Sequence, residues 1–249
     1  KTGTTSIQNT LLENTDCLNS QGFQYLGLML ENVKQTKYEW QKKTTVNSEF
    51  FALDPEVAKA QVMDVLDGTF DLAKVNGVSS LIWSNESFFD HAEHIVPVIK
   101  EVLGRGIAVE VIAYIRGHES WLKSAYIQWG IKHKTYNGKL LSFKDWSNKN
   151  IPSFGERIKK YWNEFEKIIT LKNMDALENG DVVSDFFKHN KINCEINTTR
   201  TNNAPQNEEL ILRALFNSTY PSQVLPVRFN NMFEYFHPNF DDPVTYLSK

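Results

Sequence analysis

The chain has 249 residues, of which 41% are hydrophobic and 23% are charged, an ordinary globular composition. Its formal net charge of −3 argues against nucleic-acid binding through bulk positive charge, so any bound anion must be held by a local group of residues. No apolar run approaches the ~20 residues that a membrane-spanning helix needs.

Helix-like and strand-like patterns alternate along the chain. In chain order, we predict a helix from residue 7, a short strand within 23–30, a helix over 53–74, a strand over 79–84, a helix over 87–103, a strand over 107–115, helices over 120–134 and 155–167, a strand over 168–172, and helices over 180–190 and 207–217. Residues 135–154 predict a long loop, and residues 218–249 a tail that packs on the core or forms a lid. This order predicts an α/β fold with a mostly parallel sheet flanked by helices, in one domain over residues 1–249.

Local signals define several of these elements. Asp54 is a suitable helix N-cap, Pro55 suits the first helical position, and Val57 begins the apolar stripe of the helix that follows. Pro97 predicts a kink or a break in its helix. The β-branched run over 107–115 is typical of a central parallel strand, and ligands bind at the carboxyl ends of such strands.

The first six residues, KTGTTS, place one cation, one glycine and four hydroxyl groups at the start of a helix whose apolar face includes Ile7 and Leu11. Backbone N–H groups at a helix N-terminus form an anion site, and the helix dipole adds to it. Gly3 would let the backbone approach a ligand, and Lys1 would supply a mobile charge. The pattern is not a Walker A sequence. The alternative interpretation is a polar terminus with a well-capped helix.

A second polar group follows the strongest predicted strand. Arg116 comes directly after that strand, and Ser124 lies eight residues later, two turns into the next helix. An arginine at a strand end can make planar, bidentate contacts to a phosphate, and a helical serine can add a hydroxyl group. The alternative is a solvated loop arginine.

Together, the Lys-x-Gly-Thr-Thr turn and the later strand, Arg, seven residues and Ser-x-Tyr resemble the sulfotransferase superfamily. The chain is most similar to bacterial carbohydrate-type members, and the stretch over 168–187 with its Asp-Phe-Phe is similar too. The resemblance implies a three-layer P-loop-like fold and the co-substrate 3′-phosphoadenosine 5′-phosphosulfate (PAPS). In the family, a short strand and a proline precede the first motif, so we expect the natural chain to extend upstream of Lys1.

The resemblance also implies roles for individual residues. The 5′-phosphosulfate would be cradled by Lys1, Thr2, Gly3, Thr4, Thr5 and Ser6. Lys1 would neutralise the leaving oxygen, and Arg116 with Ser124 would hold the 3′-phosphate. The Arg-Lys-Gly loop of cytosolic members is missing, and Arg200 stands in an equivalent place; its alternative role is that of an exposed loop arginine.

Sulfuryl transfer needs a general base that takes the acceptor's proton. Glu86 follows the strand over 79–84, and the carbohydrate-type members that this chain resembles often have a glutamate there. The alternative role of Glu86 is capping of the next helix. His118, two residues after Arg116, is the second candidate base.

His91 and His94 lie three residues apart, with Asp90 and Glu93 beside them, in a pattern that could hold a metal. The sequence is not His-Glu-x-x-His and no second ligand cluster is evident, so we interpret these residues as a solvated helix face. We assign no metal, because backbone N–H groups, hydroxyls and Lys1 meet the leaving group's charge.

The acceptor is expected to be a carbohydrate or a small metabolite. Aromatic side chains at Trp121, Tyr126 and Trp129 and over residues 229–240 suit a sugar or adenine ring, although helix packing explains them as well. The rival functions are a P-loop kinase that uses ATP and magnesium and a nucleotide-binding module without turnover. The two cysteines, too few for a disulfide framework, fit a reducing compartment, and we expect a cytoplasmic location.

Overall fold

The structure is a computed structural model, and it describes residues 3–42, 48–177, 180–196 and 207–236. Their contacts group into two compact units. The larger unit comprises the described parts of residues 2–116 and 153–202, and the smaller unit those of residues 117–152 and 203–249. The expectation of one domain over the whole chain stays a prediction.

Helices dominate the described residues. The helices are α1 (Thr4–Glu13), α2 (Thr15–Ser20), α3 (Glu39–Lys42), α4 (Ser48–Phe51), α5 (Pro55–Val75), α6 (Ala92–Gly104), α7 (His118–Ala125), α8 (Phe143–Lys149), α9 (Phe154–Phe165), α10 (Val182–His189), α11 (Asn207–Ser218) and α12 (Pro226–Phe236), with 3₁₀ turns at Glu86–Phe89 and Met174–Ala176 and π-helical turns at Tyr126–Lys132. The strands are β1 (Phe23–Tyr25), β2 (Ser80–Ile82), β3 (Val111–Ile115) and β4 (Ile169–Asn173). None of the described helices combines the length and the apolar content that crossing a membrane requires.

The strands form parallel pairs, as the alternating pattern predicted. β1 pairs with β2, aligning Phe23 with Ser80, and β3 pairs with β4, aligning Val111 with Ile169. Within the described residues each strand has one partner. The prediction of an α/β fold with parallel strands is confirmed. The described residues form two separate strand pairs in place of the predicted central sheet. The strand predicted over 107–115 is shorter than expected and corresponds to β3, Val111–Ile115. One reason is that the Ile107 amide donates to the carbonyl of Val102 at the end of α6, which withdraws it from a strand ladder.

The long helix α5 begins where its sequence predicted. The Asp54 carboxylate accepts a hydrogen bond from the Glu56 amide at 2.9 Å, and Pro55 occupies the first helical position. The buried face of α5 includes Val62 and Leu66, which pack in the main core with α6. Val57 was placed on this stripe but is 45% exposed, because it lies in the first turn, on the side away from that face.

The helix predicted over 87–103 is broken before its proline. A 3₁₀ turn, Glu86–Phe89, comes first, and α6 then starts at Ala92 and continues through Pro97. Pro97 lies in the interior of α6 and has no N–H group, so the intrahelical bond to the Glu93 carbonyl is missing while the helix continues on both sides.

The described part of the chain after residue 117 differs from the sequence prediction in three helical segments. The expected loop over 135–154 includes α8, whose start is capped by Ser142 accepting from the Asp145 amide at 3.1 Å. The helix expected over 120–134 changes to π-helical turns at Tyr126, where the Tyr126 ring fills the space over Gly130 that a side chain would need. The expected tail begins with the further helix α12.

A buried lysine joins two backbone segments of the smaller unit, around residues 138 and 220–222. Lys134 is fully buried, and its ammonium donates to the carbonyls of Gly138, Tyr220 and Ser222 at 2.6, 2.8 and 2.8 Å. The Val224 amide also donates to the Lys134 carbonyl at 2.9 Å. Burial lowers the pKa of this ammonium, while the three carbonyls stabilise its charged form.

The two cysteines are joined, contrary to the interpretation of reduced thiols. Cys17 on α2 forms a disulfide with Cys194, which follows α10, and their Cα atoms are 6.0 Å apart. Beside the disulfide lies Gln21, whose side-chain nitrogen is 3.1 and 3.3 Å from the two sulfur atoms and whose side-chain oxygen accepts from the Asn193 amide at 2.9 Å. The bridge therefore ties the N-terminal helices to the chain that leaves α10. The sequence count missed it because pairing across 177 residues depends on the fold.

Candidate functional site

The first helix starts on a glycine that its surroundings require. Gly3 is the N-cap of α1 with φ of 77°, and its carbonyl accepts from the amides of Ser6 and Ile7 at 2.9 and 3.2 Å. A Cβ at this position would collide with the side chain of Val182 on α10. The helix start is therefore held close against α10, with Thr5 exposed to solvent.

One side chain connects this helix to the end of a strand. The Gln8 amide nitrogen donates to the Ser84 carbonyl at 3.2 Å and lies 3.3 Å from the Ser84 hydroxyl oxygen. Gln8 is 8% exposed, so this contact is shielded from water. Because Ser84 follows β2 within two residues, the hydroxyl-rich helix and the carboxyl end of β2 form one connected region.

Glu86 lies at that strand end with its side chain exposed. The capping role considered for it belongs to Asn85, whose side-chain oxygen accepts from the Ser87 amide at 2.8 Å. The Asn85 amide nitrogen donates to the Leu28 carbonyl at 3.0 Å, which anchors the turn in the core. The carboxylate of Glu86 is thus presented by a fixed turn.

Arg116 lies at the carboxyl end of β3, as predicted, but it is not a solvated loop residue. Its side chain is 26% exposed, and its Nε donates to the Asp175 carboxylate at 3.1 Å. Asp175 belongs to the 3₁₀ turn that follows β4, the strand paired with β3. Asp175 was not among the predicted site residues, although residues directly after two adjacent parallel strands are expected to be neighbours.

Several predicted site residues stay predictions. Ser124 and the second candidate base, His118, both lie on α7 in the smaller unit. Lys1, Thr2 and Arg200 lie outside the described residues. Within the larger unit, Gln8 joins α1 to the chain segment before Glu86, while Arg116 lies at the end of the other strand pair and contacts Asp175.

A partly buried ionic network supports the second strand pair. Asp185 of α10 accepts from the Tyr114 hydroxyl at 2.6 Å and from Lys172 at 2.8 Å. Burial opposes ionisation of Asp185, but the hydrogen bonds from Lys172 and Tyr114 hold its carboxyl pKa below the usual value. Burial and the hydrogen bond to Asp185 raise the pKa of Tyr114. These groups fasten α10 to the sheet and keep its start against Gly3.

The histidines near the start of α6 differ from the solvated face that we expected. His94 is 5% exposed, and its Nε2 lies 2.9 Å from the Leu53 carbonyl. His91 stacks on Phe51 with ring centroids 4.0 Å apart. The interpretation is therefore wrong for His94, whose burial depends on contacts with a segment about 40 residues earlier.

The aromatic side chains predicted to contact a ring ligand pack partly against each other and against the backbone of the smaller unit. Trp121 and Trp129 have ring centroids 5.9 Å apart, and the Tyr126 hydroxyl donates to the Leu141 carbonyl at 2.7 Å. Beside them is a cleft of about 430 Å³ that the sequence had shown only as a long loop. Its lining combines aromatic, amide and lysine side chains: Thr135, Tyr136, Asn137, Gly138, Lys139, Leu141, Trp146, Lys149 and Asn150.

The chain matches no protein-family model, no curated protein and no solved structure. Two features bear on function. One is the pair of motifs that resemble sulfotransferases, and the other is the contact by which Gln8 joins α1 to Ser84, two residues before Glu86.

Proposed function

We propose that this protein is a PAPS-dependent sulfotransferase that transfers a sulfuryl group to a hydroxyl, or less readily an amine, of a carbohydrate or small metabolite. In this proposal the strands and helices belong to a three-layer P-loop-like fold. The start of α1 cradles the 5′-phosphosulfate, and Arg116, Ser124 and Arg200 hold the 3′-phosphate.

The supporting observation is the link between α1 and the end of β2. Gln8 holds the glycine-initiated helix against Ser84, and Glu86 follows two residues later with an exposed carboxylate. An anion-binding helix start and a carboxylate base are the two parts that sulfuryl transfer requires. Their connection within one unit favours this reaction over simple nucleotide binding.

The proposed step is an in-line displacement at sulfur. Glu86 accepts the proton of the acceptor hydroxyl while the hydroxyl oxygen bonds to sulfur. The bond from sulfur to the bridging phosphate oxygen breaks, and 3′-phosphoadenosine 5′-phosphate leaves with that electron pair. Lys1 and the amides at the start of α1 stabilise the charge that develops on the leaving oxygen.

Arg116 is the proposed ligand of the 3′-phosphate. A guanidinium group binds phosphate through two parallel N–H bonds, and the contact to Asp175 uses its Nε. Asp175 would hold the side chain at the strand end in a fixed orientation, although its negative charge opposes an incoming phosphate. We therefore expect Asp175 to tune nucleotide affinity.

The disulfide is relevant to the cellular compartment of the protein. Disulfides persist in oxidising compartments and are rare in the cytosol. The bond between Cys17 and Cys194 therefore opposes the cytoplasmic location that the sequence suggested, and we propose an oxidising compartment instead.

Nucleotide specificity is the first test. We expect 3′-phosphoadenosine 5′-phosphate to raise the unfolding temperature, since a ligand at one hundred times its dissociation constant stabilises the native state by roughly 2.7 kcal/mol. Arg116→Ala should remove most of the preference for the 3′-phosphorylated nucleotide over adenosine 5′-phosphate. Stabilisation by ATP with magnesium, but not by the bisphosphate, would favour a kinase and reject the proposal.

Transfer itself is tested with labelled PAPS and a panel of acceptors. Glu86→Gln should lower turnover by roughly 10²–10⁴-fold while bisphosphate binding is retained, because an amide cannot take the proton. Glu13→Gln, another exposed carboxylate at the far end of α1, is the control and should keep normal turnover. Normal turnover in the Glu86 variant would assign the base to another residue such as His118. If the wild type binds the bisphosphate but transfers to none of the acceptors, the protein is a binding module.

A further inference from the structure

We propose that His91, Glu93 and His94, at the start of α6, form a binding site for a divalent transition-metal ion of the zinc class. The site is separate from the proposed transfer chemistry and takes no part in it. The ligand atoms are the Nδ1 atoms of both imidazoles and Oε1 of the carboxylate.

The spacing of these atoms suits one metal ion. Glu93 Oε1 lies 3.5 Å from His91 Nδ1 and 3.7 Å from His94 Nδ1. All the candidate ligand atoms lie within 4.8 Å of one another. Zinc bonds of about 2.0–2.2 Å in tetrahedral geometry place neighbouring ligand atoms ~3.4 Å apart. Small side-chain rotations would therefore close the site around an ion.

The strongest indication is the orientation of the His94 ring. Its Nε2 lies 2.9 Å from the Leu53 carbonyl, and because a carbonyl only accepts hydrogen bonds, Nε2 is the donor of this contact. Nδ1 is then the ring nitrogen that faces Glu93 Oε1, at 3.7 Å. This Nδ1 is buried and has no hydrogen-bond partner among the described residues. A backbone carbonyl that fixes the far nitrogen of an imidazole is the usual support of a metal-binding histidine.

The surroundings hold the other two ligands in place. The ring of Phe51 stacks on His91 at a centroid distance of 4.0 Å and contacts the edge of His94 at 5.6 Å. The second oxygen of Glu93, Oε2, faces Lys160 at 3.7 Å, which leaves Oε1 toward the histidines.

The donor set selects the kind of metal. Two imidazoles and one carboxylate suit Zn²⁺, and also Co²⁺ and Ni²⁺, whereas Mg²⁺ and Ca²⁺ prefer sites made of oxygen atoms. His91 and Glu93 are 36% and 47% exposed in their side chains, so water can fill the fourth position. An ion here would join the start of α6 to the chain around Leu53, next to the turn that carries Glu86.

The site is tested by metal binding to the tag-free protein after treatment with a chelator and dialysis. Calorimetric titration with zinc chloride should show one ion per chain and a higher unfolding temperature. Co²⁺ should give the intense visible absorption of four-coordinate cobalt. His91→Ala and Glu93→Gln should each weaken zinc binding by at least about tenfold. Both side chains are partly exposed, so these variants are expected to fold.

His133→Ala is the matched control, because it removes a histidine from the smaller unit and should leave zinc binding unchanged. Binding of the nucleotide bisphosphate should also persist in His91→Ala, so failure of the metal site and failure of the proposed function are distinguishable. Three results would each reject the site: no zinc binding, equal binding by the wild type and both ligand variants, or stabilisation by Mg²⁺ as strong as by Zn²⁺.

Discussion

At the scale of single residues, Gly3 combines a left-handed backbone conformation with a site that has no room for a side chain. Its φ of 77° is in the left-handed region, and its missing side chain leaves room for Val182. The left-handed conformation of Gly3 allows α1 to begin there. The close contact between Gly3 and Val182 holds the start of α1 against α10. The same glycine that the sequence assigned to ligand approach therefore also has a structural role.

Gly3→Ala should lower the free energy of unfolding by about 2 kcal/mol, from left-handed strain and from the clash with Val182. It should also weaken binding of the nucleotide bisphosphate, because the start of α1 moves. Thermal unfolding and titration measure the two effects. Gly68→Ala, in the interior of α5 with open space around it, is the control and should raise stability by up to ~1 kcal/mol. If both alanine variants behave alike, Gly3 has no special role.

At the scale of elements, Lys134 binds the end of the π-helical turns to the segment between α11 and α12. Its three N–H donors are matched by three carbonyls from Gly138, Tyr220 and Ser222. A further contact comes from Asn217 of α11, whose amide donates to the Ile131 carbonyl. The smaller unit is therefore joined by side chain to backbone bonds as well as by apolar packing.

Lys134→Met should destabilise the smaller unit by about 3 kcal/mol, because the thioether cannot satisfy the buried carbonyls. Hydrogen exchange should rise in peptides that cover residues 134–141 and 217–225 while exchange in α5 is unchanged. Lys144→Met, at an exposed position of α8, is the control and should change stability by less than about 0.5 kcal/mol. Unchanged exchange in the Lys134 variant would mean that the three carbonyls are satisfied in another way.

At the scale of the whole molecule, the disulfide constrains the unfolded chain more than any local contact can. Cys17 and Cys194 are separated by 177 residues, and closing so long a loop removes much of the unfolded chain's entropy. In the folded state the bridge joins α2 to the chain after α10, within the larger unit.

Reduction of the disulfide should therefore lower the free energy of unfolding by about 5 kcal/mol on the chain-entropy model. Thermal unfolding with and without reductant measures the change, and the variants Cys17→Ser and Cys194→Ser should each reproduce it. The double variant is the control, since its stability should not respond to reductant. Two alkylatable thiols in protein from an oxidising compartment would contradict the pairing.

The predictions that the structure confirmed are local ones. The start of α5 at Asp54 and Pro55, the strand before Glu86 and the strand before Arg116 depend on capping, backbone propensity and short apolar runs. Each can be read within about ten residues. Two predictions were wrong for local reasons as well. The strand over 107–115 shortens because the Ile107 amide bonds back to Val102 of α6, and residues 135–154 contain α8, which Ser142 caps.

The sequence by itself determined where the hydroxyl-rich turn, Glu86 and Arg116 lie relative to their own helices and strands, since neighbouring residues settle those positions. Tertiary structure alone decided that Gln8 meets Ser84, that Asp175 pairs with Arg116, that His94 is buried with one nitrogen facing Glu93, and that the two cysteines join. The physical reason is the same in each case: a contact between segments tens to hundreds of residues apart forms only when packing of the core offsets the entropy of closing the intervening chain.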